Sequence, residues 1–271
     1  MKYGSISTGS KEASQTALEI LKFGGNAFDA AIGAVFVSMT SEFALTGVFG
    51  GGTLLGVENN SKPFAYDFFV DCPDCTSNEK KDFKEIEINF GNAKQKFNIG
   101  KGSIAVPGNL IGLIKIQKKY GSLELKDVLS YGIDYAKNGI VINQNQLDII
   151  NLVKPILQYE KNGKNLYSYN KRFFKKGDIF RNLQFADFLN IVLKKGYKYF
   201  YQGNGLENIL SHCGSESYLS ENDFKSYEVK KRNPISLNFH GYDIFSNPAP
   251  SFGGSLIIFL LKLLKESNKK I

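Results

Sequence analysis

The sequence predicts a mixed α/β fold, and three observations in its first quarter carry that prediction. A helix with small residues along one side begins near Asn26, the glycine-rich run GVFGGG follows at 47–52, and the strand-like segments TLLGVE and FAYDFF come next. A helix, a glycine turn and the beginning of a sheet therefore adjoin in the chain. With 271 residues, 42% of them hydrophobic, the chain is long enough to bury a real core. We find no internal repeat or low-complexity linker, and we predict a single domain over residues 1–271.

Capping residues predict where the first helix begins and ends. Gly4–Ser7 is predicted to be a short strand. Ser10 caps the following helix, Glu12 lies in its first turn, where the helix dipole favours a negative charge, and Gly24-Gly25 end it. The predicted core face of this helix consists of Ala13, Ala17, Ile20 and Leu21.

The next helix is capped by Asn26, and its small residues recur on one side. These residues are Ala27, Ala30, Ala31, Ala34 and Ser38. We expect Ala27, Ala30, Ala31 and Ala34 to be buried against a sheet formed in part by Thr53–Glu58 and Phe64–Val70. A polar turn at Asn59-Asn60-Ser61 joins these two strands.

The glycine run does not have the pattern of a nucleotide-binding loop. Dinucleotide and phosphate loops lie between a strand and a following helix, and the phosphate loop ends in Gly-Lys-Ser/Thr. Here a helix precedes the glycines, a strand follows them, and Thr53 rather than Lys follows Gly52. Adjacent glycines permit backbone conformations that are closed to other residues, so the run lets the chain pass tightly beneath core or ligand.

The middle of the chain alternates short strands with helices. Cys72–Lys84 is predicted to be a surface loop and Tyr159–Lys176 an exposed one. The predicted strands are one containing Ile86, Ile88 and Phe90, and one or two within Phe97–Val106. Pro107-Gly108-Asn109 ends the last of them. The predicted helices are Leu110–Tyr120, Leu125–Lys137, Gln144–Gln158, Asn182–Lys195, Leu206–Ser211 and one from Ser220 to Phe224.

The C-terminal segment ends in a helix without a polar side. Strands Ile235–Phe239 and Tyr242–Phe245 flank His240-Gly241, and the proline-rich sequence NPAPSFGG at 247–254 forms a rigid turn. Ser255–Lys265 then carries apolar residues on all faces. A helix of this kind is normally buried, so we expect it to pack against a partner segment.

Charge and cysteine spacing exclude several classes of protein. The formal charge of +8 comes from lysines spread along the chain, without the basic stripe or motif of a nucleic-acid-binding protein. Cys72-Pro73-Asp74-Cys75 has redox-motif spacing, but the polar sequence after it begins no clear helix. His212 and His240 lack the spacing of a zinc site with these cysteines. We therefore predict no cofactor and no metal.

Nothing in the hydropathy pattern predicts a membrane location. The N-terminal sequence MKYGSISTGSKEAS lacks the apolar core of a signal peptide. The longest apolar run, Leu256–Leu264, is interrupted by Lys262 and is far shorter than the ~20 residues that span a bilayer. The expectation from the chain as given is a cytoplasmic protein.

Six segments, in order along the chain, resemble the γ-glutamyltranspeptidase (γ-glutamyltransferase, glutathione hydrolase) family. They are ASQTALEILKFGGNAFDAAIGA, SEFALTGVFGGGTLLGVE, the strand around Asp67, GSIAVPGNLIGLIKIQKKYGSLELKDVLSYGIDYAKNGIVI, YFYQGNGLENIL, and YLSENDFKSYEVKKRNPISLNFHGYDIFSNPAPSFGGSL. The resemblance covers most of the chain except roughly residues 72–100 and 145–170. It implies an N-terminal-nucleophile hydrolase with a four-layer αββα fold.

The resemblance also implies which chemistry to look for. The family precursor cuts itself before a Thr, whose hydroxyl then attacks the γ-glutamyl carbonyl with its own α-amine as base. The threonines here are Thr8, Thr16, Thr40, Thr46, Thr53 and Thr76, and none has the family's processing context. We expect the nucleophile beyond Ile271, in a small subunit or C-terminal segment that completes the fold, and we expect the present chain alone to be inactive.

One substrate-binding position can be aligned. The family stretch D-x-R-E-x-x-P supplies an Arg that pairs with the substrate α-carboxylate. Its counterpart here is DFFVDCP at 67–73, where Asp67 and Pro73 keep their places, Phe69 replaces the Arg and Val70 replaces the Glu. Phe69 is equally compatible with a packed strand residue. The replacement predicts poor handling of simple γ-glutamyl amides.

Three interpretations follow from the sequence. The chain is a piece of a longer γ-glutamyltransferase, a large subunit that pairs with a separate small subunit, or a non-catalytic relative that acts as a binding or structural module. The apolar helix at 255–265 favours the first two, because such a surface recruits a partner.

Overall fold

The computed structural model describes residues 4–59, 61–74 and 80–267. Its helices are α1 (Lys11–Phe23), α2 (Ala27–Ser41), α3 (Asn109–Tyr120), α4 (Leu125–Asn138), α5 (Gln144–Leu152), α6 (Lys154–Leu157), α7 (Lys161–Leu166), α8 (Leu183–Lys195), α9 (Lys198–Gln202), α10 (Asn204–Cys213), α11 (Glu221–Ser226) and α12 (Phe252–Ser267). Its strands are β1 (Gly52–Gly56), β2 (Phe64–Phe68), β3 (Lys84–Asn89), β4 (Lys94–Ile99), β5 (Ile140–Val141), β6 (Ser168–Tyr169), β7 (Arg172–Phe173), β8 (Ile179–Phe180), β9 (Lys230–Arg232), β10 (Ile235–Phe239) and β11 (Tyr242–Ser246). Asn60 of the predicted polar turn, Cys75 of the predicted redox pair, and Thr76 lie outside the described residues.

The first two helices begin at the caps that the sequence predicts, and α1 ends at the predicted glycines. The Ser10 side chain accepts a hydrogen bond from the Ala13 amide, and Gly24 ends α1 with a left-handed φ of 104°. Asn26 caps α2 and forms a capping box with Asp29. Gly4–Ser7, in contrast, is not a strand, since no backbone ladder pairs with it in the described part of the chain.

The predicted burial of the alanine stripe on α2 is half wrong. Ala30 and Ala34 are buried, but Ala27 and Ala31 are exposed. Helices α1, α3 and α4 contact α2, and Gly33 lies close to Ile20 of α1. The small-residue spacing does not distinguish between two neighbouring faces of the helix, and the large side chains of the surrounding helices select the face that contains Gly33.

The main core lies among these helices, α8 and one face of a sheet. The sheet is antiparallel, in the order β1-β2-β9. The fully buried side chains of this core include Ile20, Phe36, Leu110, Ile114, Leu129 and Leu189. Phe28 of α2 stacks on Tyr120 and lies 6.1 Å from the ring of Phe64, so this flank of α2 joins the helices to β2.

A second, smaller core corrects the prediction of an exposed loop at Tyr159–Lys176. This segment forms α7 and the β6–β7 hairpin, and Phe174 is only 4% exposed. The Phe43 ring centroid lies 3.9 Å from that of Phe180 and 5.3 Å from that of Tyr167. The segment contains many Asn and Lys residues, so its average polarity predicts an exposed loop although several of its aromatic residues pack in this core.

Most remaining elements agree with the prediction within a few residues. The predicted helix Gln144–Gln158 is divided at Val153 into α5 and α6, because Pro155 lies in the first turn of α6. The predicted strand within Phe97–Val106 begins earlier, as β4, and ends before a 3₁₀ turn at Lys101–Ser103. Ser220 caps α11 through a capping box with Asp223.

The C-terminal hairpin β10–β11 leads through the proline turn into α12. Helix α12 contacts β10 and β11, and Gly254 is its one buried residue within Phe252–Ser267. Large side chains are open to solvent, among them Ile257 (53%), Phe259 (57%) and Leu260 (55%). Within the described ranges, the apolar helix thus has an uncovered face, as the sequence predicts. Within the same ranges, every helix is too short or too polar to cross a bilayer.

Candidate functional site

The segment that follows β2 carries the aligned position 69 and is held by its backbone. The Asp67 carboxylate accepts a hydrogen bond from the Phe69 amide at 3.1 Å, between Oδ1 and N. The Tyr227 hydroxyl donates to the Phe69 carbonyl oxygen at 2.7 Å. The Phe69 side chain itself is 58% exposed, so it is not a packed strand residue. The backbone is fixed at this position and the side chain is free to contact a ligand.

The glycine run lies directly beneath this segment. A Cβ atom on Gly51 would stand 2.3 Å from the Val70 amide nitrogen and 2.7 Å from the Phe69 carbonyl carbon. No side chain fits in that space, because the two backbones touch. The tight passage predicted from the glycines is therefore a passage under residues 69–70.

The other side of the glycine turn is tied to the start of α3. The Gly50 carbonyl oxygen accepts hydrogen bonds from the amides of Gly108 and Asn109, at 3.0 and 2.9 Å. The Asn109 side chain donates to the Gly47 carbonyl oxygen at 2.7 Å. Gly108 in turn leaves no room for a Cβ, which would stand 1.9 Å from the Phe68 carbonyl oxygen. These contacts connect three distant parts of the chain at one point.

An arginine from β9 lies next to Asp67. Strand β9 pairs with β2 so that Arg232 is opposite Ala65 and Lys230 is opposite Asp67. Nε of Arg232 donates to Oδ2 of Asp67 at 2.8 Å, and the two side chains are 30% and 13% exposed. Asp67 thereby orients both the Phe69 amide and the guanidinium of Arg232.

These residues line a cleft of about 580 Å³ between the sheet and the proline turn. Its walls include Thr53, Phe69, Arg232, Asn247, Ser251 and Phe252. Nδ2 of Asn247 donates to the Thr53 hydroxyl at 3.0 Å, while Oδ1 of Asn247 is buried without a hydrogen-bond partner in the described structure. A cleft with one arginine, several hydroxyl and amide groups and an exposed phenyl ring is suited to a small polar ligand that carries a carboxylate.

The hydroxyl of Tyr227, which donates to the Phe69 carbonyl oxygen, stays protonated. Burial raises the pKa of Tyr227, and the carboxylates of Asp67 and Asp71 raise it further. The hydroxyl of Tyr227 therefore remains a hydrogen-bond donor over the physiological pH range. Burial raises the pKa of its neighbour Tyr201 as well, and the Tyr201 hydroxyl donates to the Pro107 carbonyl oxygen at 2.7 Å.

Nucleophilic side chains elsewhere do not form a catalytic arrangement in the part of the chain that the structure describes. Thr16 and Thr40 are buried inside the helical core, while Thr53 lies within β1 rather than at a chain terminus. Cys213 is buried, which raises the pKa of its thiol, and Cys72 is exposed. The described residues include no group of three or more His, Cys, Asp or Glu side chains that would hold a metal.

Sequence reasoning identified position 69 and missed its neighbours Arg232, Tyr227 and Asn247. Asp67 and Arg232 are 165 residues apart in the chain. The available signal was the basic sequence KKR at 230–232, whose first and third residues lie on one face if the segment is a strand. That signal does not say which strand is the partner.

Comparisons with known proteins agree with this architecture. The sequence model of the gamma-glutamyltranspeptidase family matches residues 13–270. The capsule biosynthesis protein CapD proenzyme of Bacillus anthracis is 29% identical over 268 residues, which are 99% of this chain and 44% of CapD. The glutathione hydrolase proenzyme of Escherichia coli is 27% identical, over 99% of this chain and 46% of its own length.

A solved structure also resembles the chain throughout. The crystal structure of Helicobacter pylori gamma-glutamyltranspeptidase matches with a TM-score of 0.84 and 26% identity, over 98% of this chain and 76% of that one. The chain spans just under half the length of the two curated relatives.

Proposed function

The chain belongs to the gamma-glutamyltranspeptidase family, and from that premise we propose that it forms the substrate-binding large-subunit portion of an enzyme that hydrolyses or transfers γ-glutamyl groups. Its fold is the α+β fold of the N-terminal-nucleophile hydrolases in this family. The observation that carries the proposal is the cleft beside Phe69, where three distant segments fix the backbone and leave polar groups facing solvent.

The proposed reaction is acyl transfer through a threonine outside residues 1–271. The Thr hydroxyl attacks the γ-carbonyl carbon of a glutathione-like amide, its α-amine takes the proton, and the amine leaves. Water or an acceptor amine then cleaves the glutamyl ester. The present chain positions the glutamyl unit for this attack. The names of the curated relatives support a divided precursor, since both are proenzymes and both are about twice as long as this chain.

The uncovered apolar surface supports a partner segment. Helix α12 exposes a row of large side chains, and Leu55 on the cleft side of β1 is 42% exposed. Surfaces of this kind are interaction sites in soluble proteins. We propose that the small subunit, or the corresponding C-terminal segment of the same chain, covers them and brings the nucleophilic Thr to the cleft.

Measuring the turnover of a γ-glutamyl amide tests the proposal. We expect the purified 271-residue chain to release no p-nitroaniline from γ-glutamyl-p-nitroanilide and to show no self-cleavage. Coexpression with a Thr-led small subunit of this family should restore turnover, and the same subunit with its leading Thr changed to Ala should not. Steady hydrolysis by the chain alone, with contaminants excluded, would contradict the proposal. A complex that assembles without turnover would favour the alternative of a non-catalytic binding module.

A further inference from the structure

The family position for a carboxylate-binding arginine is occupied here by Phe69, while a different arginine faces the same cleft. Phe69 and Arg232 both line it, on neighbouring parts of the sheet. We propose that Arg232 binds the α-carboxylate of the γ-glutamyl substrate in this protein, in place of the missing arginine at position 69. This inference rests on the proposed function and names the residue that recognises the substrate.

The hydrogen bonds of Arg232 leave its binding edge open. Asp67 accepts only from Nε, and in the described part of the chain neither terminal nitrogen of this guanidinium has a hydrogen-bond partner. The two terminal N–H groups of an arginine match the two oxygens of a carboxylate. Arg172 shows the contrast: both of its terminal nitrogens are already bonded to Asp178, at 2.6 and 2.9 Å.

Asp67 supports the arginine without blocking it. One carboxylate oxygen of Asp67 accepts from the Phe69 amide and the other from Nε of Arg232. Both oxygens are thus engaged, and the hydrogen bond to Nε restrains the guanidinium. A restrained guanidinium loses less conformational entropy on binding than a free one.

The rest of the cleft is compatible with a carboxylate. Asp67 and Arg232 are the only charged residues among its described lining residues. Ser251 and Phe252, at the N-terminal end of α12, line it as well, and the positive end of a helix dipole favours an anion. Lys230, Asp71 and Glu228 face an adjoining groove that shares Arg232 with the cleft.

Phe69 takes a different part in this arrangement. Its exposed ring lines the cleft and offers an apolar surface for the methylene groups of the glutamyl unit. Because both side chains face one cleft, an arginine introduced at position 69 reaches the same volume as Arg232. This makes Phe69→Arg a rescue test as well as a change of specificity.

The test is a binding measurement that needs no catalysis. The 271-residue chain is titrated by NMR with L-glutamine, the simplest γ-amide with an α-carboxylate, and with L-glutaminamide, in which that carboxylate is a carboxamide. We expect L-glutamine to bind more tightly. Arg232→Gln should weaken L-glutamine binding about ten- to hundredfold, as for a lost charge-assisted pair, and leave L-glutaminamide binding unchanged.

Matched variants separate recognition from folding. Arg181→Gln removes the same charge from an exposed arginine, whose Nε donates to the Asn138 carbonyl oxygen, and should leave binding unchanged. Arg232→Lys keeps the charge beside Asp67 but lacks the two-pronged edge, so it should weaken binding severalfold in a folded protein. Phe69→Arg added to Arg232→Gln should recover most of the lost affinity.

Two outcomes would overturn the inference: equal binding of the two probes by the wild type, including no binding of either, or undiminished L-glutamine binding in a folded Arg232→Gln variant. Either outcome would leave the proposed reaction standing, since turnover is measured separately. Conversely, Arg232-dependent binding in a protein that gains no turnover from the Thr-led small subunit would overturn the reaction and not the inference.

Discussion

Two carboxylates differ in how fully the protein itself uses their hydrogen-bonding capacity. We call the surroundings of Asp29 the closed region and the surroundings of Asp67 the open region. Asp29, at the start of α2, is 0% exposed and accepts hydrogen bonds from the amides of Asn26, Ser122 and Leu123, the Ser122 hydroxyl and the Gln117 side chain. Asp67, at the end of β2, has two partners and lies in the wall of a cleft. The first carboxylate joins helices permanently, and the second orients groups that have binding capacity left.

The difference shows where structural and functional polarity separate in this fold. Every oxygen of Asp29 is used by the protein itself, so a ligand has nothing to bind there. At Asp67 the two terminal nitrogens of the neighbouring Arg232 have no hydrogen-bond partner among the described residues, and the phenyl ring of Phe69 stays exposed. Unused hydrogen-bonding capacity on a rigid backbone is the mark of a site.

The largest expected effect is the loss of the closed network. Asp29→Asn should lower the free energy of unfolding by about 3–5 kcal/mol, because several buried donors lose their charged acceptor. Asp67→Asn should cost only about 1–2 kcal/mol, since it loses one charge-assisted bond in a partly exposed place. Urea denaturation of both variants measures the difference. Equal losses would remove the distinction between the two regions.

Acid should reduce the difference between wild type and Asp29→Asn. Burial raises the pKa of Asp29, but the hydrogen bonds from Ser122, Asn26 and Gln117 outweigh it, and the pKa of the folded protein lies below the ordinary value. A depressed folded pKa gives stability that is complete above the ordinary carboxyl pKa of about 3.9 and is lost as the pH falls through the folded value. Denaturation curves at pH 7 and below pH 4 test this. An unchanged difference at both pH values would contradict it.

A smaller loss is expected at the contact between the glycine turn and the site. Gly51→Ala should destabilise the protein by about 1–3 kcal/mol, since the new methyl group would displace the backbone of residues 69–70. It should also weaken L-glutamine binding, because Phe69 moves with that backbone. Gly47→Ala, where a Cβ meets no atom within 4 Å, is the control and should change neither property. Loss of stability with full binding would show that the glycine turn does not position the site.

The sequence predicts the closed region better than the open one, for a physical reason. Ser10, Asn26 and Ser220 cap helices through contacts within four residues, so local sequence contains the whole interaction. Apolar periodicity located α3, α4 and α8 in the same way. The exposure of Ala27 and Ala31 was not predictable, because side chains this small fit either a core or a surface, and distant residues decide.

The site depends on distant contacts, so the sequence gives only part of it. Position 69 was identified because a resemblance aligned it with a known arginine. Arg232 lies next to it only because β9 pairs with β2, and Tyr227 reaches the Phe69 carbonyl from 158 residues away. No local sequence pattern indicates which strands pair or which distant side chain donates to a given backbone carbonyl.

A change on the uncovered face should affect association more than stability. Leu260→Lys, at a side chain that is 55% exposed, should change the free energy of unfolding by no more than about 0.5 kcal/mol while reducing self-association and binding of a hydrophobic dye. Ala31→Lys adds the same charge on the exposed side of α2 without removing apolar surface, and should leave association as in the wild type. Sedimentation and dye fluorescence distinguish the two. Equal effects would mean that net charge, rather than the apolar face of α12, controls association.

The smallest expected effect tests the closed region at its own surface. Ala31→Leu should change the free energy of unfolding by less than about 0.5 kcal/mol, because this alanine faces solvent although its spacing resembles that of a buried stripe. Ala34, three residues later in the same helix, is 5% exposed, and Ala34→Leu should cost about 1–3 kcal/mol by overpacking. The two variants add the same atoms to the same helix, so helix propensity cancels in the comparison and only the surroundings differ. Thermal denaturation of the pair gives the difference directly. A loss of stability at Ala31 as large as that at Ala34 would show that another surface covers the Ala27–Ala31 side of α2. This side of the helix would then be part of the buried region and not of the protein surface.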